Sequence, residues 1–206
     1  MADATTPDSK PVIRIERRLV SDAEKRYLTQ LDVALETVGD ALTPELRAQI
    51  ETEFGAYLGK PGHPALIANQ LTELLCRNCF GDQPLLEARR LFGRASVAHY
   101  RESILGRVML AAIPIMGMER IVRMIPRDFA ATTNYGTRSV VEIGPRHWRC
   151  DFEDEIVYPE IIQGILEGIG DMARVPGLHV TCNPLSPKHL SFEITWQARQ
   201  GRSTAQ

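Results

Sequence analysis

"SVVEIGPRHWRCDFED", which runs from Ser139 to Asp154, carries the alternation of apolar and polar residues that decides the fold of the second half of the chain. Along its second arm, Trp148 and Phe152 fall on one side of an extended strand, and the charged residues between them fall on the other side. Gly144-Pro145 interrupts the alternation, as a reversing turn does. The stretch therefore predicts an antiparallel hairpin with one apolar face and a turn at Gly144-Pro145.

Two more strands and one helix follow this hairpin. "LHVTC" at 178–182 and "HLSFEITW" at 189–196 alternate in the same way, and "YPEIIQGILEGIGDM" at 158–172 has apolar residues at helical spacing. Gly164 and Gly168 in this helix suggest close approach of another backbone or of a flat ligand, with tight helix packing as the simpler cause. An antiparallel sheet with one apolar face needs helices to cover that face. The order β-β-α-β-β therefore predicts an α+β fold.

The first half of the chain has helical periodicity. A capping box over Ser21–Glu24 predicts a helix, and its apolar stripe consists of Tyr27, Leu28, Leu31, Leu35 and Val38. The other predicted helices are one capped by Thr43 with Pro44 in its first turn, one over 66–75, a long one from Gln83 to Pro114, and a short one over Met118–Met124 that precedes Pro126. The sequence does not decide whether "VIRIERRLV" at 12–20 forms an additional edge strand. We expect a tail over 1–10, a helical subregion over 11–125, an antiparallel α/β subregion of the same domain over 126–198, and a tail over 199–206.

Composition excludes several classes of function. The 206 residues are 44% apolar, which is enough for a folded core, and the formal net charge of −2 lacks the basic excess of a nucleic-acid-binding surface. The first ten residues have no apolar signal core, and the longest apolar run, Val108–Met118, is far shorter than the roughly 20 residues that a membrane span needs. We therefore expect a cytoplasmic protein that does not span a membrane.

The four cysteines raise the question of a metal or redox site. Cys76 and Cys79 form a C-x-x-C pair inside a helical pattern, whereas tetrahedral zinc needs two further ligands. Cys150 and Cys182 are separate residues on the apolar sides of their predicted strands, where a free thiol behaves as a small apolar group. Core packing is therefore the favoured role of all four, with no metal site assigned.

The predicted ligand pocket lies between the long helix and the sheet. Its candidate lining residues are Tyr100, Arg107, Asn134, Tyr135 and Trp148. Arg107 stands in an apolar helical run, so it should meet a carboxylate such as Glu142 or Glu167, meet an anionic ligand, or extend to water.

Two of these residues belong to "PRDFAATTNYGTRS" at 126–139, the least periodic stretch of the chain. Its Asn134, Tyr135, Thr137 and Arg138 could line the mouth of a cleft, or the stretch could be a connector with an Asn-Tyr-Gly turn. His99, on a small-residue face of the long helix, could ligate a haem iron or contact a ligand, or it could be a partly buried histidine bonded to a neighbouring helix.

Several stretches together resemble an uncharacterised paralogous family that is abundant in myxobacteria. They are "FGRASVAHYRESILGR" at 92–107, "RMIPRDFAATTNYGTRSVVEIGPRHW" at 123–148, "YPEIIQGILEGI" at 158–169 and the closing "FEITW" at 192–196. This family is similar in fold to haem–nitric-oxide-binding and vinyl-reductase-like sensor domains, in which helices lead into an antiparallel α/β half. The resemblance implies a small-molecule-binding or signalling module.

The same resemblance indicates which residues would bind haem. In haem sensors of this type a helical histidine holds the iron, and a Tyr-x-Ser-x-Arg element meets the haem propionates. "YGTRS" at Tyr135–Ser139 is similar to that element, but its arginine stands one position early. The resemblance does not align His99 with the position of that histidine.

Three functional hypotheses follow. The first is a non-enzymatic cytoplasmic regulatory domain that binds a small apolar or amphipathic ligand, since no catalytic constellation can be assembled from the sequence. The second is a homodimeric protein-interaction module without a small ligand, with its contact near "AAIPIMGM" at 111–118. The third is a haem-binding gas sensor.

Overall fold

The structure, a computed structural model, describes residues 12–17, 19–29, 31–100 and 117–198, with the helical backbone alone for 98–100. The helices in these ranges are α1 (Val33–Val38), α2 (Pro44–Phe54), α3 (Ala65–Cys79), α4 (Leu85–Tyr100), α5 (Met118–Thr132) and α6 (Pro159–Met172). The strands are β1 (Ile13–Ile15), β2 (Arg26–Tyr27), β3 (His63–Pro64), β4 (Thr137–Gly144), β5 (His147–Glu153), β6 (His179–Ser186) and β7 (His189–Thr195). In this part of the chain no helix combines the length and the apolar character needed to cross a membrane.

The main sheet confirms the predicted α+β class and the predicted order of its elements. Its five strands are antiparallel and lie in the order β1-β4-β5-β7-β6. The segment 12–20 does form an edge strand: β1 lies within it and pairs with β4. The first hairpin reverses at Pro145-Arg146, one residue later than predicted, because Gly144 pairs with His147 and Arg146 takes a positive φ of 57°.

One face of the sheet is covered by α5 and α6, as the alternation requires. Phe152 lies at the centre of this core, with edge-on ring contacts to Phe129 of α5 at 5.0 Å and to Phe192 of β7 at 5.3 Å between ring centroids. The other buried apolar residues of this layer are Met118, Ile121, Val122, Ile125, Val140, Trp148, Cys150, Ile162, Leu166, Ala173, Val180, Leu190 and Ile194. The period-two pattern therefore placed the inward residues correctly.

The helical half has a second core built from α1 to α4. Thr43 caps α2 as predicted, because its hydroxyl accepts a hydrogen bond from the Leu46 backbone N–H at 3.2 Å, and Pro44 occupies the first turn. The buried residues here are Leu31, Val38, Leu42, Leu46, Ile50, Phe54, Leu71, Leu75, Cys76, Ala88 and Phe92.

The two halves meet where α4 crosses α6. A Cβ atom added at Gly93 of α4 would collide with the backbone carbonyl of Ile161, and one added at Gly164 would collide with that of Arg90. Gly168 faces the backbone of Arg94 in the same way. The glycines of α6 therefore permit backbone-to-backbone contact between helices, which confirms the tight packing expected from their spacing.

The prediction of one helix with a stripe from Tyr27 to Val38 is wrong. The Ser21–Glu24 capping box is present, but it closes a short 3-10 turn, and Tyr27 then pairs with His63 in a two-stranded ribbon. The backbone N–H of Leu28 donates to the carbonyl of Thr132 on α5 at 2.8 Å. Because tertiary partners satisfy this backbone, a helix is not needed there, and α1 begins at Val33.

The prediction that the short helix ends before Pro126 is also wrong. α5 continues to Thr132 with Pro126 buried inside it. The proline removes one intrahelical hydrogen bond, whereas continuation of the helix allows Phe129 to pack on Phe152. The predicted connector of 126–139 therefore shortens to the few residues around Asn134.

Candidate functional site

Arg138 and Glu155 form a buried ion pair where the N-terminal segment meets the sheet. Arg138 lies on β4 opposite Phe152, and its period-two position places it on the inner face of the sheet. Its Nη2 donates to Oε2 of Glu155, and the two side chains are only 3% and 1% exposed. A guanidinium in such a place needs a carboxylate partner, and Glu155 is that partner.

The carboxylate of Glu155 is fully engaged by its surroundings. Its Oε1 accepts hydrogen bonds from the Tyr135 hydroxyl at 3.2 Å and from the backbone N–H groups of Ile156 and Val157, each at 2.8 Å. Burial raises the pKa of Tyr135 well above its usual value, and the nearby Tyr27 and Glu155 raise it further. The phenol therefore stays protonated and serves as a donor to the carboxylate.

A buried lysine closes this cluster from the N-terminal side. Lys25 is completely buried, and its Nζ donates to Asp154 at 2.6 Å and to Asp22 at 2.8 Å. Its Nζ also lies 5.5 Å from the centre of the Tyr135 ring. The ion pairs of Lys25 therefore connect the segment that follows β1 to the end of the β4–β5 hairpin.

Asn134 secures the connector that carries Tyr135. Its side-chain oxygen accepts from the Arg26 backbone N–H at 2.7 Å, and its side-chain nitrogen donates to the Glu24 carbonyl at 3.0 Å. Gly136 follows with a positive φ of 72°. The Asn-Tyr-Gly stretch therefore joins α5 to β4, and the Asn134 amide is hydrogen-bonded within the chain.

Trp148 lies far from Tyr135, towards the other end of the hairpin. It is buried on the inner face of β5, its register partner is Glu142, and the guanidinium of Arg123 lies 4.6 Å from its ring centre. Tyr135 precedes the first residue of β4, Thr137, whereas Glu142 lies five positions further along that strand, a backbone span of about 16 Å at roughly 3.3 Å per strand residue. The structure therefore does not bring these two predicted lining residues together.

The other predicted site residues lie at the limit of the described residues or beyond it. His99 and Tyr100 belong to α4, where only the helical backbone is described, and Arg107 lies outside the described residues. The carboxylates expected to meet Arg107 both contact other arginines, since Glu142 lies 3.5 Å from Arg123 and Glu167 lies 3.5 Å from Arg90.

The cysteines lie where small apolar side chains pack. Cys76 is buried in α3, and desolvation raises the pKa of its thiol to about 12. Cys150 is buried under the sheet, where desolvation also raises its pKa. Among the described residues, no three or more His, Cys, Asp or Glu side chains are grouped to hold a metal ion. These thiols are held in the protonated, weakly reactive form.

The outer face of the sheet forms an open concavity of about 420 Å³. Its lining residues are Arg14, Ser139, Arg149, Asp151, Glu153, Asn183, Leu185, His189, Ser191 and Glu193. Its charges compensate one another, because Arg14 pairs with Glu153 at 2.8 Å and Arg149 with Asp151 at 3.2 Å. This face is therefore a weaker candidate for recognition of a charged ligand.

The residues of the Tyr-Gly-Thr-Arg element do not fit a propionate-bearing cofactor. A haem propionate held by this element would need the Arg138 guanidinium and the Tyr135 hydroxyl, and both groups already bind Glu155. Of the other two guanidinium nitrogens of Arg138, Nη1 donates to the backbone carbonyls of Thr137 and Glu153, each at 3.1 Å, and Nε has no acceptor among the described residues.

Sequence reasoning missed two central members of this cluster, Lys25 and Glu155. Arg138 was expected in a loop, although the alternation that places Val140 inward also places Arg138 inward. Glu155 carries no such signal, because it follows β5 in an irregular segment. Lys25 stood within a segment predicted to be helical, so its pairing with Asp154 could not be anticipated.

Comparison with solved structures shows the fold that this arrangement belongs to. A variant of the H-NOX protein from K. algicida, in the Fe(II) unliganded state, matches with a TM-score of 0.58 and 12% identity over 83% of this chain and 98% of that chain. A variant of T. tengcongensis H-NOX matches with a TM-score of 0.51 and 9% identity over 82% and 98%. An oxygen-binding H-NOX domain related to soluble guanylate cyclases matches with a TM-score of 0.50 and 10% identity over 82% and 93%.

These similarities establish an H-NOX-like fold and no more, because identities this low do not transfer a site. No curated protein matches the chain. A family model described as "Protein of unknown function (DUF2378)" matches residues 33–197, which is most of the chain. The chain therefore belongs to the DUF2378 family.

Proposed function

We propose that this protein is a non-enzymatic, cytoplasmic regulatory domain that binds a small apolar or amphipathic ligand between its helical half and its sheet half. The observation that carries the proposal is the likeness to H-NOX sensor domains over nearly the whole of those chains. A ligand at the junction would act by favouring one packing of the two halves over another, which requires different affinities for the two states.

Two close contacts at the junction support this proposal. The halves touch through the glycine crossing of α4 and α6, and through Arg89, whose guanidinium pairs with Glu73 of α3 at 2.7 Å and stacks 3.6 Å from the ring centre of Tyr158. Both contacts depend on close geometry, so a small change in the angle between the helices would break them.

The proposed pocket lies between the predicted long helix and the sheet half. Tyr100 and Arg107 would line its helix side, and Asn134, Tyr135 and Trp148 would line its sheet side. Because Tyr135 and Trp148 lie at opposite ends of the hairpin, a compact ligand would touch one of them and an elongated ligand would touch both.

Native mass spectrometry of freshly purified protein, followed by thermal-shift screening of apolar and amphipathic compounds, tests this function. We expect a bound or stabilising small molecule whose effect is reduced at least tenfold by Arg107→Ala. Arg47→Ala, on the exposed side of α2, is the matched control and should leave the effect unchanged. Absence of any bound or stabilising molecule would refute the proposal.

An absorbance scan between about 350 and 450 nm separates a haem sensor from the other hypotheses, because bound haem absorbs strongly in that range. The homodimer hypothesis stays a prediction. Most of its proposed contact, 111–118, lies outside the described residues, while Met118 is buried in the sheet core. Sedimentation as a monomer at micromolar concentration would exclude it.

A further inference from the structure

The groups around Glu155 form a complete receptor for a carboxylate. A guanidinium, a phenol hydroxyl and two successive backbone N–H groups converge on its two oxygens. Donors of these kinds recognise carboxylates strongly when water is excluded. Here the backbone donors belong to Ile156 and Val157, so the segment that brings the acid also completes its binding position.

One donor of this receptor remains unused. The Nε atom of Arg138 is buried and has no hydrogen-bond acceptor among the described residues. Glu155 thus engages the guanidinium through Nη2 alone, although a guanidinium can hold a carboxylate through two parallel hydrogen bonds. Glu155 therefore uses only part of the capacity of this guanidinium to bind a carboxylate.

We propose that Arg138 and Tyr135 form an acid-binding position that the protein occupies with its own carboxylate, Glu155. An external acid, such as a haem propionate, would have to displace Glu155 from a fully buried site that Lys25 and Asp154 close from the N-terminal side. Displacement would leave a charge buried without a partner, which strongly opposes it. This inference does not depend on a ligand binding elsewhere at the junction.

Substitution of Glu155 by alanine provides the first test, because acetate matches the atoms that the substitution removes. We expect about 100 mM sodium acetate to raise the Tm of Glu155→Ala by about 3 °C or more beyond sodium chloride at equal ionic strength. If the variant is unfolded in chloride, recovery of its circular-dichroism signal by acetate is the equivalent readout.

Two controls make this test specific. Glu193→Ala removes a half-exposed carboxylate that pairs with His147, and it should gain nothing from acetate over chloride. The double variant Arg138→Met with Glu155→Ala should lose the acetate response, because the guanidinium is gone. A Glu155→Ala variant that does not distinguish acetate from chloride, or a double variant that still does, would overturn the proposal.

Titration with hemin provides a second test that keeps both Glu155 and Arg138 in place. Tyr135→Phe removes only the hydroxyl that a propionate would need. We expect the Soret absorbance of the wild-type protein titrated with hemin to be the same as that of Tyr135→Phe. A saturating one-to-one Soret band in the wild type that Tyr135→Phe weakens tenfold or more would show that this position accepts an external acid, and would overturn the proposal.

Discussion

Lys25 and Lys188 donate to the same carboxylate, Asp22, from opposite environments. Lys25 is completely buried, whereas the Lys188 side chain is about half exposed on the β6–β7 turn, and each Nζ lies within 2.8 Å of an Asp22 oxygen. The Lys188 hydrogen bond, with that of Lys25, lowers the pKa of Asp22 to about 2. One half-exposed carboxylate thus binds one buried and one exposed ammonium group.

This pair allows a matched comparison of buried and exposed charges. Lys25→Ala should lower the free energy of unfolding by about 3 kcal/mol, because it leaves Asp154 without its buried cation. Lys188→Ala should lower it by less than about 1 kcal/mol, since water replaces the lysine. Urea unfolding at neutral pH measures both, and equal losses would show that the burial of Lys25 has no energetic consequence.

A double-mutant cycle measures the coupling of Arg138 to Glu155. We expect Arg138→Met and Glu155→Gln each to cost about 3–5 kcal/mol of unfolding free energy, because each leaves the other partner buried and poorly satisfied. The double variant should cost less than the sum of the two single changes, with a coupling energy of about 1–3 kcal/mol.

The exposed pair of Glu119 and Arg123 on α5, at 3.0 Å, is the control for that cycle. Glu119→Gln should change the free energy of unfolding by no more than about 0.5 kcal/mol. Strict additivity of the Arg138 and Glu155 changes would mean that the two side chains do not stabilise each other.

The crossing of α4 and α6 is tested by adding one methyl group. Alanine normally favours a helix over glycine by up to about 1 kcal/mol, but Gly164→Ala should destabilise the protein by about 1–3 kcal/mol because its Cβ would meet the backbone of Arg90. At Gly144 the nearest atom to an added Cβ is 4.0 Å away, so Gly144→Ala should stay within about 0.5 kcal/mol. A stabilising effect of Gly164→Ala in thermal unfolding would contradict the close packing.

Asp128 on α5 predicts a pH dependence of stability. Burial raises its pKa to about 6, and the nearby Arg127 offsets only part of this effect. Because the folded-state pKa is above the unfolded value of about 3.9, the stabilising contribution of Asp128 is complete below that value and is lost as pH rises through about 6.

Asp128→Asn should therefore stabilise the protein above pH 6, by about 1 kcal/mol at pH 7.5 once partial exposure to solvent is allowed for. The gain should fall to about a third of its full value near pH 4.5, because it vanishes only below the unfolded pKa. Asp82→Asn, in an exposed loop, is the control. Urea midpoints measured from pH 4.5 to 8 would count against the raised pKa if the difference between wild type and Asp128→Asn did not change with pH.

Part of the candidate site could be predicted from sequence and part could not. Tyr135 was identified because it stands in a short polar stretch between two periodic regions, and the Asn-Tyr-Gly turn is local chemistry. The partners of Tyr135 could not be identified, since Glu155 lies 20 positions further along the chain and reaches it only through the pairing of β4 with β5. Tyr100 and Arg107 remain predictions.

The failures in the helical half have the same origin. The stripe from Tyr27 to Val38 has helical spacing, but the backbone at Leu28 and Asn134 is hydrogen-bonded between distant segments. Pro126 is a local signal for the end of a helix, and it was overridden by the core contact of Phe129. Local propensities amount to about 1–3 kcal/mol, and tertiary packing of a whole helical turn exceeds that.

The amino-acid sequence alone determined the α+β class, the four strands of the C-terminal half with their inward faces, and the Thr43 cap. It also indicated that the glycines in α6 allow close packing of another helix. These features depend on spacing within one segment, which hydrophobic burial converts directly into structure. Only the tertiary structure decided that Arg138 meets Glu155, that Lys25 is buried beside Asp154, and that Tyr135 and Trp148 lie apart. A buried charge must find its partner wherever the fold places one, and that position is a property of the whole chain.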